Sequence, residues 1–565
     1  MVDQPAAPQS PYAEITEALP RVACAGETVT VIDIRRYAPS SETAAERAVA
    51  VTSDAVGLEH ARTQESVIRA YVRLKPGARC TERERLESER LLRAQRFVAS
   101  AAVTAIPDGE GRVRIRVDVV DELPWVVRAS VKDGGISTLR LGTQNLMGRG
   151  LTVIASGERG GVYRPGVGVL LAQYGLFGRP AVAAIEVERR PLGGLMQAGI
   201  IEPFLTDEQR YAFHTSFEQE TDYVRLVRPA GDDAAARTRR SAYDIGLVKR
   251  VGMYRRDRLV GLAGLLLMGS DVRTGDEIVV VSDTGMIVTP DTQLDGRYPN
   301  FGVGRLAAMG GIRALRFQVV QRFAALRAAQ DVGSGVQVNL LVGPSLWKSR
   351  SSDVLLAGDL YAGAGDATSF AALRVRAEAR RAPEGGPWQG VVGSAQFSWH
   401  QVPSDRRTRV MSLSAATVHR LVFPVQLTLR DPDGGLLGFP DSRGVGGQRA
   451  VLRVEERMLM PWFRSRADFA LAAFADAGRL WAGDVPYGAS TPVRSSVGIS
   501  LLGSYPSGGK RLYRIDFAIP LNPEPGGARF AIRLSAADRT GLFWMEPRDV
   551  GRARAGTGPT TLMRW

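Results

Sequence analysis

From Trp125 almost to the end, the chain alternates apolar and polar residues with a period of two. Val336, Val338, Leu340 and Val342 interleave with Gln337 and Asn339. Leu373, Val375, Ala377 and Ala379 interleave with Arg374, Arg376, Glu378 and Arg380, and Tyr513, Ile515, Phe517 and Ile519 with Arg514 and Asp516. A strand sends successive side chains to opposite faces, so each segment predicts a strand with one apolar and one polar face. The pattern does not say which face points inward. Its scale does narrow the architecture, because roughly 400 residues of alternation without a helical interruption exceed a single sandwich and suit a closed barrel of about 16 strands. The polar stretches at 220–240, 271–300 and 430–448 are then expected as loops.

Before Trp125 the pattern is different. Residues 1–26 are rich in Pro, Ala and polar residues and predict a flexible lead-in. Residues 27–122 predict a compact α+β unit in the order strand, helix, helix, strand, strand. Val29 to Ile34 is a β-branched run, followed by a polar, Ala-rich insert. In Glu65 to Val72, the side chains of Val67, Ile68, Tyr71 and Val72 share a helical face, which Lys75-Pro76-Gly77 ends. Thr81 and Glu84 form a capping box before a helix through Leu86, Leu91 and Leu92. Phe97 to Ile106 and Arg112 to Val120 flank a Pro107-Asp108-Gly109 turn, and Val113, Ile115, Val117 and Val119 alternate with charged residues.

Composition agrees with many short segments joined by turns: 62 Gly and 31 Pro in 565 residues. No uncharged apolar run approaches the roughly 18 to 20 residues of a membrane helix, so any crossing uses strands. The closest is Leu259 to Ser270, bounded by Arg258 and Asp271. No secretory signal is visible in the polar, Pro-rich start. The net charge of +14 arises from 73 basic residues dispersed along the chain. Such dispersal suits a polar sheet face and argues against a nucleic-acid partner.

Candidate chemistry is sparse. Cys24 and Cys80 are too few for a zinc site, and the choice between two thiols and one disulfide stays open. His60, His214, His400 and His419 are far apart and show no metal-ligand spacing. Phosphate-binding loops, nucleophile elbows and HExxH motifs are missing, so no catalytic residue, metal or cofactor is expected.

Four places resemble the bacterial surface antigen superfamily, the BamA/TamA group of outer-membrane barrels preceded by POTRA domains. Glu65 to Val103 is similar to a POTRA domain. Gly142 to Gly150, GTQNLMGRG, is similar to the entry into the first barrel hairpin, with Asn145, Gly148 and Gly150 suited to left-handed backbone in a tight turn. Gly435 to Gly447 sits where the family has a loop with an Arg-Gly-aromatic tip that folds into the lumen; Gly438 and Phe439 match, and Leu437 stands in place of the Arg. Phe474 to Gly478, FADAG, resembles the inward-facing motif that accepts that Arg, with Asp476 as acceptor and Glu455 on a strand nearby.

A carboxylate inside a barrel needs a partner. With Leu437 unable to supply one, Arg443 is expected to pair with Asp476 or Glu455. The alternative is an ordinary Gly-rich surface loop and a hydrated Asp476. The resemblance implies a mainly β protein with the barrel over residues 123–545 and residues 546–565 forming a C-terminal extension or last strand. In that strand Trp565 would be the terminal aromatic. It further implies placement in the outer membrane with the N-terminal unit in the periplasm, outer-membrane lipid around the barrel, and client proteins reached by strand addition to the POTRA-like unit. The rival function is a passive, porin-like channel with a basic lumen.

Overall fold

The computed structural model describes residues 21–37, 62–132, 135–229, 231–254, 259–282, 284–348, 352–461, 467–538 and 546–554. Most of the 1–26 lead-in, most of the insert, His60 and the Thr560 to Trp565 segment lie outside them.

The N-terminal domain is a four-stranded sheet backed by two helices. Its elements are β1 (Ala25–Tyr37), α1 (Glu65–Arg69), β2 (Arg79–Thr81), α2 (Glu82–Arg93), β3 (Val98–Pro107) and β4 (Arg112–Asp121). The order across the sheet is β2-β1-β4-β3, with β1 parallel to β4 and the remaining pairs antiparallel. The Thr81 cap forms as expected, but Glu84 closes back on the Thr81 hydroxyl rather than on its backbone amide. Thr81 Oγ1 accepts from Glu84 N at 3.3 Å and donates to Glu84 Oε2 at 2.9 Å. The hairpin turn is also where the sequence places it, and Val113, Ile115, Val117 and Val119 are buried in the core with Ile68, Leu91 and Leu92. Cys24 and Cys80 are joined in a disulfide, which settles the open choice.

The rest of the described chain is one closed antiparallel barrel from Trp125–Lys132 to Ala531–Asp538. Twenty-one strands belong to this sheet. One of them, Gly285–Val288, pairs only with the end of Leu259–Ser282, which leaves twenty staves where about 16 were expected. The count includes two short staves at the start, Trp125–Lys132 and Gly135–Leu146, and the segments at 220–240 and 271–282, expected as loops, largely lengthen the tall staves Tyr211–Leu226, Ala234–Tyr254 and Leu259–Ser282. Ladder pairing uses main-chain groups, so it continues where the side chains have become polar.

Closure decides which face points out. The apolar residues of each alternating segment are on the exterior, where Leu340 and Ile499 are each 61% exposed and Leu534 is 70% exposed. The charged set is inside and buried, as with Glu455, Asp476, Arg514 and Asp516. This polarity is the reverse of a water-soluble core. It satisfies every crossing segment's backbone within the sheet and presents hydrocarbon to the surroundings, the two conditions a bilayer imposes.

Candidate functional site: the occupied lumen

The lumen wall is a lattice of ion pairs set by register. Strand Gln448–Leu459 points Arg449, Val451, Arg453, Glu455 and Arg457 inward, and pairs with Asp468–Trp481 so that Arg453 stands opposite Asp476. Glu455 is bound by Arg457 and by Arg514 Nη1 at 2.7 Å. Arg514 in turn pairs with Asp516 and donates to Ser500 Oγ at 2.8 Å. Arg457 Nη1 donates to Phe323 O at 2.8 Å, tying the network to a turn folded into one end of the lumen. Removing a partner from such a network leaves a buried charge uncompensated.

Gly435 to Gly447 does enter the lumen. Leu436, Leu437 and Phe439 are buried, and Leu437 packs with Phe474, Ala518 and Ala531. Asp476 is where the family resemblance placed the acceptor, but its partners differ from the expected one. Leu437 N donates to Asp476 Oδ2 at 3.0 Å, Arg453 Nη2 lies 3.1 Å from the same oxygen, and Ser496 Oγ donates to Oδ1. Gly438 N donates to Ser496 Oγ at 3.2 Å, and a Cβ at Gly438 would come within 2.6 Å of Ser496 Cβ. Main-chain amides at the tip and an arginine from the wall thus do the work that a tip arginine would do.

Arg443 does not reach either carboxylate. Its guanidinium donates to Arg228 O at 2.8 Å and Gly231 O at 2.9 Å and pairs with Asp233 at 3.1 Å; its amide donates to Glu524 Oε2 at 2.9 Å. The reason is chain path. Beyond Phe439 the chain passes through a turn at Pro440 and Asp441, and Arg443, four residues on, comes out beside Arg228, Gly231 and Asp233 instead of the Asp476 wall. The residues missed from sequence were Ser496 and the pairing of Arg453 with Asp476. The signal available was the position of Arg453 on the same face as Glu455.

The turn at GTQNLMGRG joins strands Gly135–Leu146 and Leu151–Glu158. Gly148 and Gly150 have the expected positive φ, but the third left-handed residue is Met147, not Asn145. Asn145 acts through its side chain instead. Oδ1 accepts from Gly150 N and Nδ2 donates to Thr63 Oγ1, each at 2.7 Å. Thr63 also donates its amide and hydroxyl to Asp121, at 2.8 and 2.6 Å. At Gly148 a Cβ would meet Arg62 O at 2.1 Å, so only glycine allows this approach. Asn145 therefore clamps the N-terminal domain to the barrel. Asn145→Ala is expected to cost about 1–3 kcal/mol in docking, the penalty of orphaning buried groups. Faster hydrogen exchange at the Gly150 amide would show it, and unchanged protection there would refute the clamp.

Helix α2 lies against the same end of the barrel. Arg93 Nη2 is 2.7 Å from Asp331 Oδ1, Arg83 Nη2 is 3.1 Å from Asp207 Oδ2, and Arg90 donates to Leu205 O at 2.5 Å while covering the Phe317 ring. Burial draws Arg90 below its usual pKa, against the opposing pull of Asp331, Glu87 and Asp207. The outer edge of β3 is partly occupied by the chain itself. Val103 N donates to Glu89 Oε2 at 3.1 Å, Arg85 donates to Val103 O at 2.5 Å, and Val22 N donates to Ala105 O at 3.1 Å.

No arrangement for nucleophilic catalysis stands out among the described residues. His214 Nδ1 lies 2.5 Å from Asp244 Oδ1, but Ser216 Oγ donates to the carboxylate at 2.6 Å, which is not the geometry of a base activating a hydroxyl. No group of three or more His, Cys, Asp or Glu among the described residues could hold a metal ion.

The fold and site define the class: a closed antiparallel β-barrel with an apolar exterior, an ion-paired lumen filled by its own loop, and an α+β domain docked at one end. No family model and no curated protein matches the chain. Among solved structures it is similar to CdiB from Escherichia coli, with 12% identity over 92% of this chain and 91% of that one and a TM-score of 0.44. It is also similar to BamA from Haemophilus ducreyi lacking POTRA domains 1–3, with 12% identity over 90% and 85% and a TM-score of 0.38. CdiB from Acinetobacter baumannii gives 10% identity over 90% and 74% and a TM-score of 0.39. At these scores, residue roles follow from this chain's own geometry.

Proposed function

We propose that the protein is an outer-membrane barrel of the BamA/TamA type that acts, without catalysis, in the assembly, insertion or translocation of client proteins. Its POTRA-like domain faces the periplasm and outer-membrane lipid surrounds the barrel. The observation that carries this reading is the combination of an apolar exterior with a lumen held shut by its own loop and ion pairs. A passive pore favouring anions needs an open path and unpaired cations; here Arg374, Arg449, Arg453, Arg457 and Arg514 are all engaged by carboxylates.

Two edges suit a client strand. One is the meeting of the first and last staves, each of 8 residues, where the sheet closes. The other is β3, where a client would first displace Val22 and the Arg85 and Glu89 side chains. The test is deletion of the protein from its host followed by a census of outer-membrane proteins and surface lipids. Depletion of a subset of barrels or secreted proteins is expected. Unchanged levels of both, with anion conductance from the purified protein, would favour the channel reading instead.

A further inference from the structure

The segment after the last stave was expected as an extension or a final strand. Its described part, Glu546 to Arg554, is an extension and not a strand, and it folds back into the lumen. It forms a short helix, α3 (Arg548–Ala553), within the barrel. Val550 and Ala553 are buried in one apolar cluster with Phe423, Val425, Leu427 and Leu429 of the segment leading into the inserted loop, and Gly434 sits so close to Pro547 that a Cβ there would meet the ring at 2.8 Å.

Four charges of this segment meet partners on the wall. Asp549 lies 2.6 Å from Arg449 Nη1, both buried, and Glu546 accepts from Arg376 Nη1 at 3.0 Å and from Ser394 Oγ at 2.8 Å. At the other end Arg552 pairs with Asp222 at 3.4 Å, Arg554 lies 3.6 Å from Glu378, and Arg240 donates to Arg554 O at 2.9 Å. Five staves contribute: arginines of the wall face Glu546 and Asp549, carboxylates of the wall face Arg552 and Arg554, and Glu546 and Arg554 also pair with each other at 2.6 Å, so the segment is held to the wall and across its own ends. Helical propensity alone would not hold six residues, since isolated helices of that length are marginal in water; the seat holds them.

We propose that the lumen contains a binding seat for a short peptide that is acidic at its start and basic at its end, with Glu546–Arg554 as the resident occupant that closes the water path. When it leaves, Arg376, Arg449, Glu378 and Asp222 lose their partners in this segment and hydrate, and the inserted loop loses its backing. Because charge-assisted contacts dominate, salt weakens the closure. This proposal does not depend on which client, if any, the barrel serves.

The experiment measures conductance of the purified full chain in planar lipid bilayers against a chain ending before Glu546. The shortened chain is expected to conduct severalfold more per barrel, and a synthetic peptide of residues 546–554 added to it should restore the closed level. The same peptide carrying Asp549→Arg should not. Equal conductance of the two chains, or equal block by both peptides, overturns the proposal. If the shortened chain yields no folded, heat-modifiable barrel, full-length Asp549→Arg decides. It should conduct more than the parent and close again when combined with Arg449→Asp; failure of either result counts against the seat.

Discussion

Replacing Asp476 by Ala is expected to cost about 3–5 kcal/mol of barrel stability, the usual penalty for breaking one side of a buried, hydrogen-bonded charge pair. Asp476 holds three groups at once: the Leu437 amide, the Ser496 hydroxyl and the Arg453 guanidinium. Its loss frees the tip of the inserted loop and leaves Arg453 with the Gly435 carbonyl, at 3.4 Å, and the longer contact to Asp431, at 3.9 Å. Urea unfolding in detergent micelles would read the change, and hydrogen exchange at the Leu437 and Gly438 amides would show whether the loop has come loose. Asp476→Asn should fall between, because an amide oxygen still accepts from Leu437 while the charge is gone. Arg443→Ala is the contrast. Its side chain is 45% exposed, and the buried carboxylate of Asp233 keeps Arg225 as a second partner, so no more than about 1 kcal/mol is expected. A large effect at Arg443 with a small one at Asp476 would reverse the assignment made here.

Joint replacement of Cys24 and Cys80 by Ser is expected to destabilise the N-terminal domain by about 4 kcal/mol, as loop-closure entropy gives for a cross-link spanning this separation. The bond closes 56 positions of sequence and ties the start of β1 to the strand that leads into α2. A domain of this size has a small core, so such a constraint is a large part of its net stability. Hydrogen exchange at the Ile115 and Val117 amides of β4 would report it, with the barrel's heat-modifiability unchanged. A loss below about 1 kcal/mol would mean that the unfolded domain is already compact around the insert. The Val22 amide, two residues before Cys24 and paired to Ala105, should lose protection in the same variant, which links the disulfide to access at the β3 edge.

Local elements were largely written in the sequence. The Thr81 and Glu84 cap, the Pro107-Asp108-Gly109 hairpin and the two-residue alternation of Leu373 to Arg380 depend on interactions within a few residues, which are fixed wherever the segment sits. Even which residues of the Gln448–Leu459 strand share a face could be read, since a one-residue slip would move every side chain to the opposite face.

What only tertiary structure decided was direction and pairing over distance. A period of two is the same pattern whether its apolar face lines a core or a bilayer, so closing the sheet was needed to put Leu340 outside and Glu455 inside. The partner of Asp476 depended on the register of two neighbouring staves and on where the loop backbone passed. Sequence reasoning supplied an arginine, Arg443, because it compares side chains and does not see that a main-chain amide can satisfy a carboxylate as well. The same holds for the return of Glu546 to Arg554 into the lumen. Its charges have meaning only beside Arg376, Arg449 and Asp222, which lie from about one hundred to more than three hundred residues earlier in the chain and come together only through the barrel.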